Sequence, residues 1–169
     1  MRPPLKRVDF RPGDKVEVCS KEEGFLGSYY EATVLSRLET GRYVVRYKTL
    51  LRDDAVSEPL TETLFPRDIR PSPPKVYTRG EFSLYQAVDA FDNDGWWSGE
   101  ITGRLGPHHY YVYFRTTNEE IAYPSSKIRV HHEWVNGDWI LSQRETPQPQ
   151  PQLQQQNQDQ EEQLPQQFN

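Results

Sequence analysis

One pattern occurs twice in this chain, and it is spelled largely in aromatic residues. The first half reads Phe10-Arg11-Pro12-Gly13-Asp14-Lys15-Val16-Glu17-Val18, then Gly27-Ser28-Tyr29-Tyr30-Glu31-Ala32-Thr33-Val34, Tyr43-Val44-Val45-Arg46-Tyr47 and Ile69-Arg70-Pro71. The second half follows the same order with Val88-Asp89-Ala90-Phe91, Gly95-Trp96-Trp97-Ser98-Gly99-Glu100-Ile101, Tyr110-Tyr111-Val112-Tyr113-Phe114 and Ile128-Arg129-Val130. A unit repeated once, with an aromatic pair at the same place in each copy, restricts the chain to two like modules that can present ring faces. Two copies make a tandem, not a solenoid.

The segments inside each copy are short and β-flavoured. Lys15-Val16-Glu17-Val18 alternates polar with apolar, as a half-buried strand does. Ala32 to Leu35 and Arg42 to Tyr47 flank a polar turn with Thr40-Gly41, and Gly99 to Thr102 and Tyr110 to Phe114 flank the loop from Gly103 to Pro107. β-branched and aromatic runs bounded by Gly, Pro, Asn and Asp are strand signals. No stretch carries a sustained helical period. The expected fold is all-β: two small, strongly bent barrels packed in tandem.

The expected boundaries are 7–72 for the first module and 76–141 for the second, with the stiff Pro71-Ser72-Pro73-Pro74 stretch between them. Each module is about the size at which a single core becomes marginal, so the two are expected to pack together. Residues 144–169 turn to Pro and Gln and read as a disordered tail, since such a composition buries too little apolar area to offset chain entropy. The mean hydropathy of −0.90 and an apolar fraction of 34% leave thin cores and no run long enough for a membrane span. One cysteine, Cys19, excludes an internal disulfide framework and suggests an intracellular chain. The net charge of −5 argues against a general polyanion binder and leaves room for a basic partner.

These strings resemble the Agenet modules, plant members of the Tudor-like Royal superfamily. The first-module likeness lies in Pro12 to Val18, Glu22-Glu23-Gly24-Phe25-Leu26-Gly27, Glu58-Pro59-Leu60 and Ile69-Arg70-Pro71. The second-module likeness lies in Val88 to Trp97, Val112-Tyr113-Phe114 and His132-Glu133-Trp134-Val135-Asn136-Gly137-Asp138-Trp139. The resemblance covers nearly all of the chain before the tail and implies a tandem Agenet pair. It further implies a nuclear, chromatin-bound reader of the histone H3 N-terminal tail, of the heterochromatin silencing type that prefers dimethylated lysine nine beside an unmodified N-terminus.

The chemistry suits that partner. A methylated ammonium is poorly hydrated but stays charged, so it favours electron-rich ring faces, each worth on the order of 0.5–2 kcal/mol. Tudor-like modules draw their rings from the end of the first strand, the start of the second, and the third. In the first module, the favoured cage, Tyr30 and Tyr47 match; Cys19 holds the first-strand place, so Phe25, Tyr29 or another ring must fill that gap. Glu22, Glu23, Asp53 and Asp54 are the expected acidic rim. The alternative cage in the second module is Phe91, Trp97 and Phe114 with Asn118 or Glu119 at its edge.

Any one of these rings is equally a core residue, because aromatics dominate burial in small domains. Trp96 and Trp97 are neighbours and face opposite ways on a strand, and Trp134 and Trp139 read as a C-terminal clasp against the second copy. The rival reading is nucleic-acid binding, with exposed rings stacking on bases and Arg42, Arg46, Lys48, Arg67, Arg70, Arg115, Lys127 and Arg129 forming a basic stripe. A non-histone protein partner anchored by the aromatics is a third. No enzymatic activity, metal or cofactor is expected: the pairs His108-His109 and His131-His132 lack partners at ligand spacing, and no phosphate loop or nucleophile motif is present.

Overall fold

The computed structural model describes residues 9–19, 21–52 and 55–141, so the tail expected at 144–169 and the rim residues Asp53 and Asp54 lie outside the described residues. In the first half, β1 (Lys15–Cys19), β2 (Ser28–Arg37), β3 (Tyr43–Arg52), β4 (Ala55–Leu64) and β5 (Ile69–Pro71) are arranged in the order β4-β3-β2-β1-β5. The second half repeats the plan with β6 (Ala87–Asp92), β7 (Gly95–Leu105), β8 (His109–Phe114), β9 (Glu119–Pro124) and β10 (Ile128–Val130), ordered β9-β8-β7-β6-β10. A 3-10 turn precedes the last strand of each half, at Pro66–Asp68 and Ser125–Lys127. The all-β expectation holds: no α-helix occurs among the described residues.

The bend is built at the same point in both copies. Register slips between Val34 and Ser36 against β3, and between Ile101 and Gly103 against β8. Such bulges kink a strand and let a short sheet close over its own core. Val16, Val34 and Val45 lie at the centre of one core, and Val88, Ile101 and Val112 at the centre of the other.

The halves join into one ten-stranded sheet through the first residues of their central strands, where β2 runs antiparallel to β7. Ser28 faces Trp97 and Tyr29 faces Trp96. Tyr29 and Trp96 hold the same place in the two copies, so an approximate two-fold axis passes through that pair. Arg70 caps the Tyr29 ring at 3.5 Å, and its counterpart Arg129 caps Trp96 at 4.2 Å. Trp97 packs against both cores.

Strand β1 departs from the half-buried alternation its sequence suggests. Glu17 exposes only 1% of its surface because the second half covers its outward face. Arg70 donates to Glu17 Oε1 through Nη2 at 2.7 Å and Nε at 3.1 Å. Arg129, from the other half, donates to Oε2 at 2.6 Å and to Oε1 at 3.0 Å. Arg129 also bonds Asp89 Oδ2 at 2.9 Å, so one guanidinium spans carboxylates of both halves. A carboxylate this deep is tolerable only when fully paired.

Past β10, β11 (His132–Val135) and β12 (Asp138–Leu141) form a separate hairpin in which Trp134 faces Trp139. The expected clasp on the second copy meets both halves. Arg70 donates to the His132 carbonyl at 2.8 Å and lies 5.1 Å from the Trp139 ring, while His131 binds Asp89. Glu17→Gln keeps the shape but leaves two guanidiniums short of charge. It is expected to cost about 3–5 kcal/mol, read as a lower urea midpoint at constant slope. A loss under about 1 kcal/mol would mean the arginines find other partners.

Candidate functional site

Strand alternation decides which rings meet. On β2, Tyr30 turns into the first core while its neighbour Tyr29 turns to the other side, beneath Arg70. On β3, Tyr47 also turns inward, and its ring stands at 85° to Tyr30 with centroids 6.5 Å apart. From the second half, Trp97 stands at 80° to Tyr30 at 6.4 Å. It reaches that position because it lies opposite Ser28, two residues from Tyr30, so the two rings are diagonal neighbours across the junction. The result is a Tyr47–Tyr30–Trp97 group with successive rings nearly perpendicular.

The turn between β6 and β7 completes it. Asn93 and Asp94 both take left-handed φ values, 45° and 64°, as a two-residue turn demands. Gly95 must lack a side chain, since a Cβ there would sit 2.8 Å from Tyr30 Cε1. Thr49 Oγ1 donates to the Asp94 carbonyl at 2.7 Å, tying the turn to β3, and Trp97 Nε1 donates to the Asp92 carbonyl at 2.8 Å. Two carboxylates accompany the rings. Tyr47 donates its hydroxyl to Glu62 at 2.5 Å. Burial first, then the Asp94 charge, raises the Tyr30 phenol above its ordinary range. Burial and then the Glu62 contact raise Tyr47 likewise, so both phenols stay neutral. Tyr30 and Tyr47 expose 7% and 5%; Trp97 is half-buried and Asp94 exposed.

The residues singled out in the sequence distribute as follows. Tyr30, Tyr47 and Trp97 come together, although they belong to different copies of the repeat. Phe25 is 44% exposed on the loop between β1 and β2, which also carries the exposed Glu22 and Glu23. Tyr29 lies beneath Arg70, its phenol pushed up to about 12 chiefly by burial. Phe91 packs on Trp96 at 5.2 Å, under Lys127, and Phe114 is buried against Tyr123. Asn118 accepts from the Tyr113 hydroxyl. Glu62 is the carboxylate that sequence reasoning missed, since it lies on β4 away from any aromatic or turn signal. The basic stripe divides: Arg70 and Arg129 are drawn inward, Arg115 pairs with Glu100, and Lys127 covers Phe91.

Among the described residues no group of three or more His, Cys, Asp or Glu side chains is placed to hold a metal ion. Burial pushes the Cys19 thiol up to about 12, so it carries no thiolate at neutral pH. Trp96 Nε1 is buried with no acceptor among the described residues.

His131 is the titratable group of the module junction. Its Nδ1 lies 2.6 Å from Asp89 Oδ1 and 3.2 Å from Ser98 Oγ, and its Nε2 lies 2.6 Å from Glu133 Oε1. Tyr29 packs beside the ring, and Arg129 shares Asp89. A carboxylate oxygen at each ring nitrogen requires a proton on both. Burial works to lower the His131 pKa, but the Asp89 hydrogen bond and charge, followed by Glu133, raise it above 6.5. Burial works to raise Asp89, and His131 with Arg129 outweighs it, so Asp89 lies below 3.8. Stability from His131 is therefore complete below pH 6.5 and lost as pH climbs through its folded-state value. That from Asp89 is complete above 3.8 and lost as pH falls through its own. The urea midpoint should fall on both sides, and His131→Gln should remove the alkaline limb. An alkaline limb that persists in His131→Gln would assign it to another group.

Comparison with known proteins places this geometry. The Agenet domain family matches residues 13–74. The crystal structure of the AGD34 portion of Arabidopsis thaliana AGDP1 is 34% identical and superposes with a TM-score of 0.73, covering 79% of this chain and 90% of that one. The ADCP1 tandem Agenet domain 3-4 is 30% identical with a TM-score of 0.70, covering 79% and 89%. Protein AGENET DOMAIN (AGD)-CONTAINING P1 of Arabidopsis thaliana is 35% identical over 144 residues, and DUF724 domain-containing protein 6 of the same plant is 37% identical over 134. These alignments cover 80% and 77% of this chain but 28% and 19% of those relatives, so the chain spans only a fraction of their length.

Proposed function

The chain belongs to the Agenet domain family, folded as a tandem pair, and from that premise we propose that it reads chromatin by binding a methylated lysine of the histone H3 N-terminal tail. The observation that carries this reading is the Tyr47–Tyr30–Trp97 ring group with Glu62 and Asp94 beside it. Perpendicular π-faces attract a bulky, weakly hydrated cation, and nearby carboxylates add charge without demanding a hydrogen bond from every methylated position.

The finer reading is the lysine-nine dimethyl mark next to an unmodified H3 N-terminus, which is the preference the sequence resemblance implies. The exposed Glu22 and Glu23, with Asp94, and with Asp53 and Asp54 from outside the described residues, then form the acidic rim. Such a rim steers a basic tail and speeds its encounter more than it tightens the complex. On this reading the protein is a nuclear binding module of silenced chromatin, not an enzyme, and residues 7–72 and 76–141 serve together as one reading unit.

Titration calorimetry with H3 tail peptides tests the reading. Dimethylation of lysine nine should strengthen binding at least about tenfold, equivalent to roughly 1.4 kcal/mol. Trp97→Ala and Tyr47→Ala should abolish the gain. Because both rings also pack in cores, Asp94→Asn supplies an exposed variant that leaves the fold intact. It should weaken the dimethylated peptide several-fold while the melting temperature stays unchanged. Equal affinity for modified and unmodified peptides would end the proposal, and loss confined to Phe91→Ala or Phe114→Ala would move the cage to the second module.

A further inference from the structure

The chain is acidic overall, with net charge −5, yet one face of the first module is not. Along β3 the inward positions Tyr43, Val45 and Tyr47 fill the core, while Arg46 and Lys48 turn outward and are exposed, as is Arg42 just before the strand. Cross-strand register extends the pattern. Lys15 faces Thr33, Thr33 faces Arg46, and Arg46 faces Thr61, giving a row of cation, hydroxyl, cation and hydroxyl across four strands. Lys15 Nζ donates to Thr33 Oγ1 at 3.0 Å. One row along, Lys48 meets Glu31 at 3.3 Å, a solvated pair. At the far end Arg42 and Arg67 both lie on the Phe65 ring, at 4.2 and 4.4 Å. Among the described residues, no carboxylate pairs with Lys15, Arg42, Arg46 or Arg67 within 4.0 Å.

Lys15, Thr33, Arg46 and Lys48 line the floor of a groove of about 970 Å³, where the carboxylates Glu17 and Glu31 are both paired with cations; the linker from Ser72 to Tyr77 and Trp96 wall it. Tyr77 stands 87% exposed on that wall. Guanidinium and ammonium groups without a carboxylate partner, set beside threonine hydroxyls on one sheet face, are the donor set that phosphate oxygens accept from. A ring held out in solvent beside them offers a stacking face, which an acidic peptide would leave idle and an unpaired base would use.

We propose that the outward face of β1 to β4, with the linker wall, is a docking surface for single-stranded nucleic acid. It is separate from the methyl-lysine site, because Tyr47 and Lys48 are neighbours on β3 and face opposite sides of the sheet. The polyanion and the basic histone tail thus take opposite faces of the same strand, each meeting the charge that suits it.

Fluorescence anisotropy of the full chain with a labelled mixed-sequence single-stranded oligonucleotide tests this. Saturable binding is expected at about 50 mM salt, weakening with log salt at a slope of roughly −2 to −3 as three or four phosphates are neutralised. Arg46→Glu should weaken binding at least tenfold, and Tyr77→Ala about fivefold or more. Both residues are exposed, so melting temperature and H3 peptide affinity should not change in either variant. Absence of saturable binding, or full affinity in Arg46→Glu, would overturn the proposal. Tighter binding of a duplex of the same sequence would also overturn it, as would tighter binding of an oligoglutamate of equal charge, which would assign the face to an acidic protein segment.

Discussion

Glu17 is the point on which the two halves turn. It belongs to the first half, it is buried, and its two oxygens are held by one arginine from each half. Removing three charged groups from water is costly, and the arrangement is sustained only while every oxygen and guanidinium finds its partner. That requirement is directional, unlike the packing of valines on either side. It admits one docking of the modules, the one in which Arg129 reaches across the axis. The β2–β7 pairing, the seat of the Asp94 turn and the position of Trp97 against Tyr30 all follow from that docking.

The approximate two-fold symmetry of the pair is broken where chemistry is needed. Arg70 and Arg129 occupy equivalent places and cap equivalent rings, yet Arg129 bridges Glu17 and Asp89 while Arg70 bonds Glu17 and the His132 carbonyl. His131 takes the remaining Asp89 oxygen. The C-terminal hairpin thereby enters the junction as a third body and gives it a proton-dependent contact. Tyr47 and Phe114 diverge in the same way: a hydroxyl bonded to Glu62 in one half, a plain core ring packed on Tyr123 in the other.

Much of the architecture is legible in the sequence, because repetition, turn residues and strand alternation are local. The all-β class, the two copies and the opposite facing of Trp96 and Trp97 are visible from spacing alone. Glu17 is not, since Lys15-Val16-Glu17-Val18 looks the same whether its outer face meets water or another module. The ring group was hidden for a related reason. Tyr30 and Trp97 are 67 positions apart by number and meet only across an antiparallel junction whose register no local pattern reveals. Glu62 was overlooked because it lies on β4, a strand without an aromatic signal. The basic stripe, by contrast, was read as one feature and divides in two, since burial of Arg70 and Arg129 depends on Glu17 and Asp89 far along the chain.

The ring group takes two members from one half and the third from the other, so it is a property of the pair. A gene that lengthens by copying single modules would gain nothing from the first extra copy, because a lone module has no neighbour to lend its tryptophan. Growth by twos preserves every group and the junction that aligns it. A chain cut between its halves therefore keeps no complete group on either side.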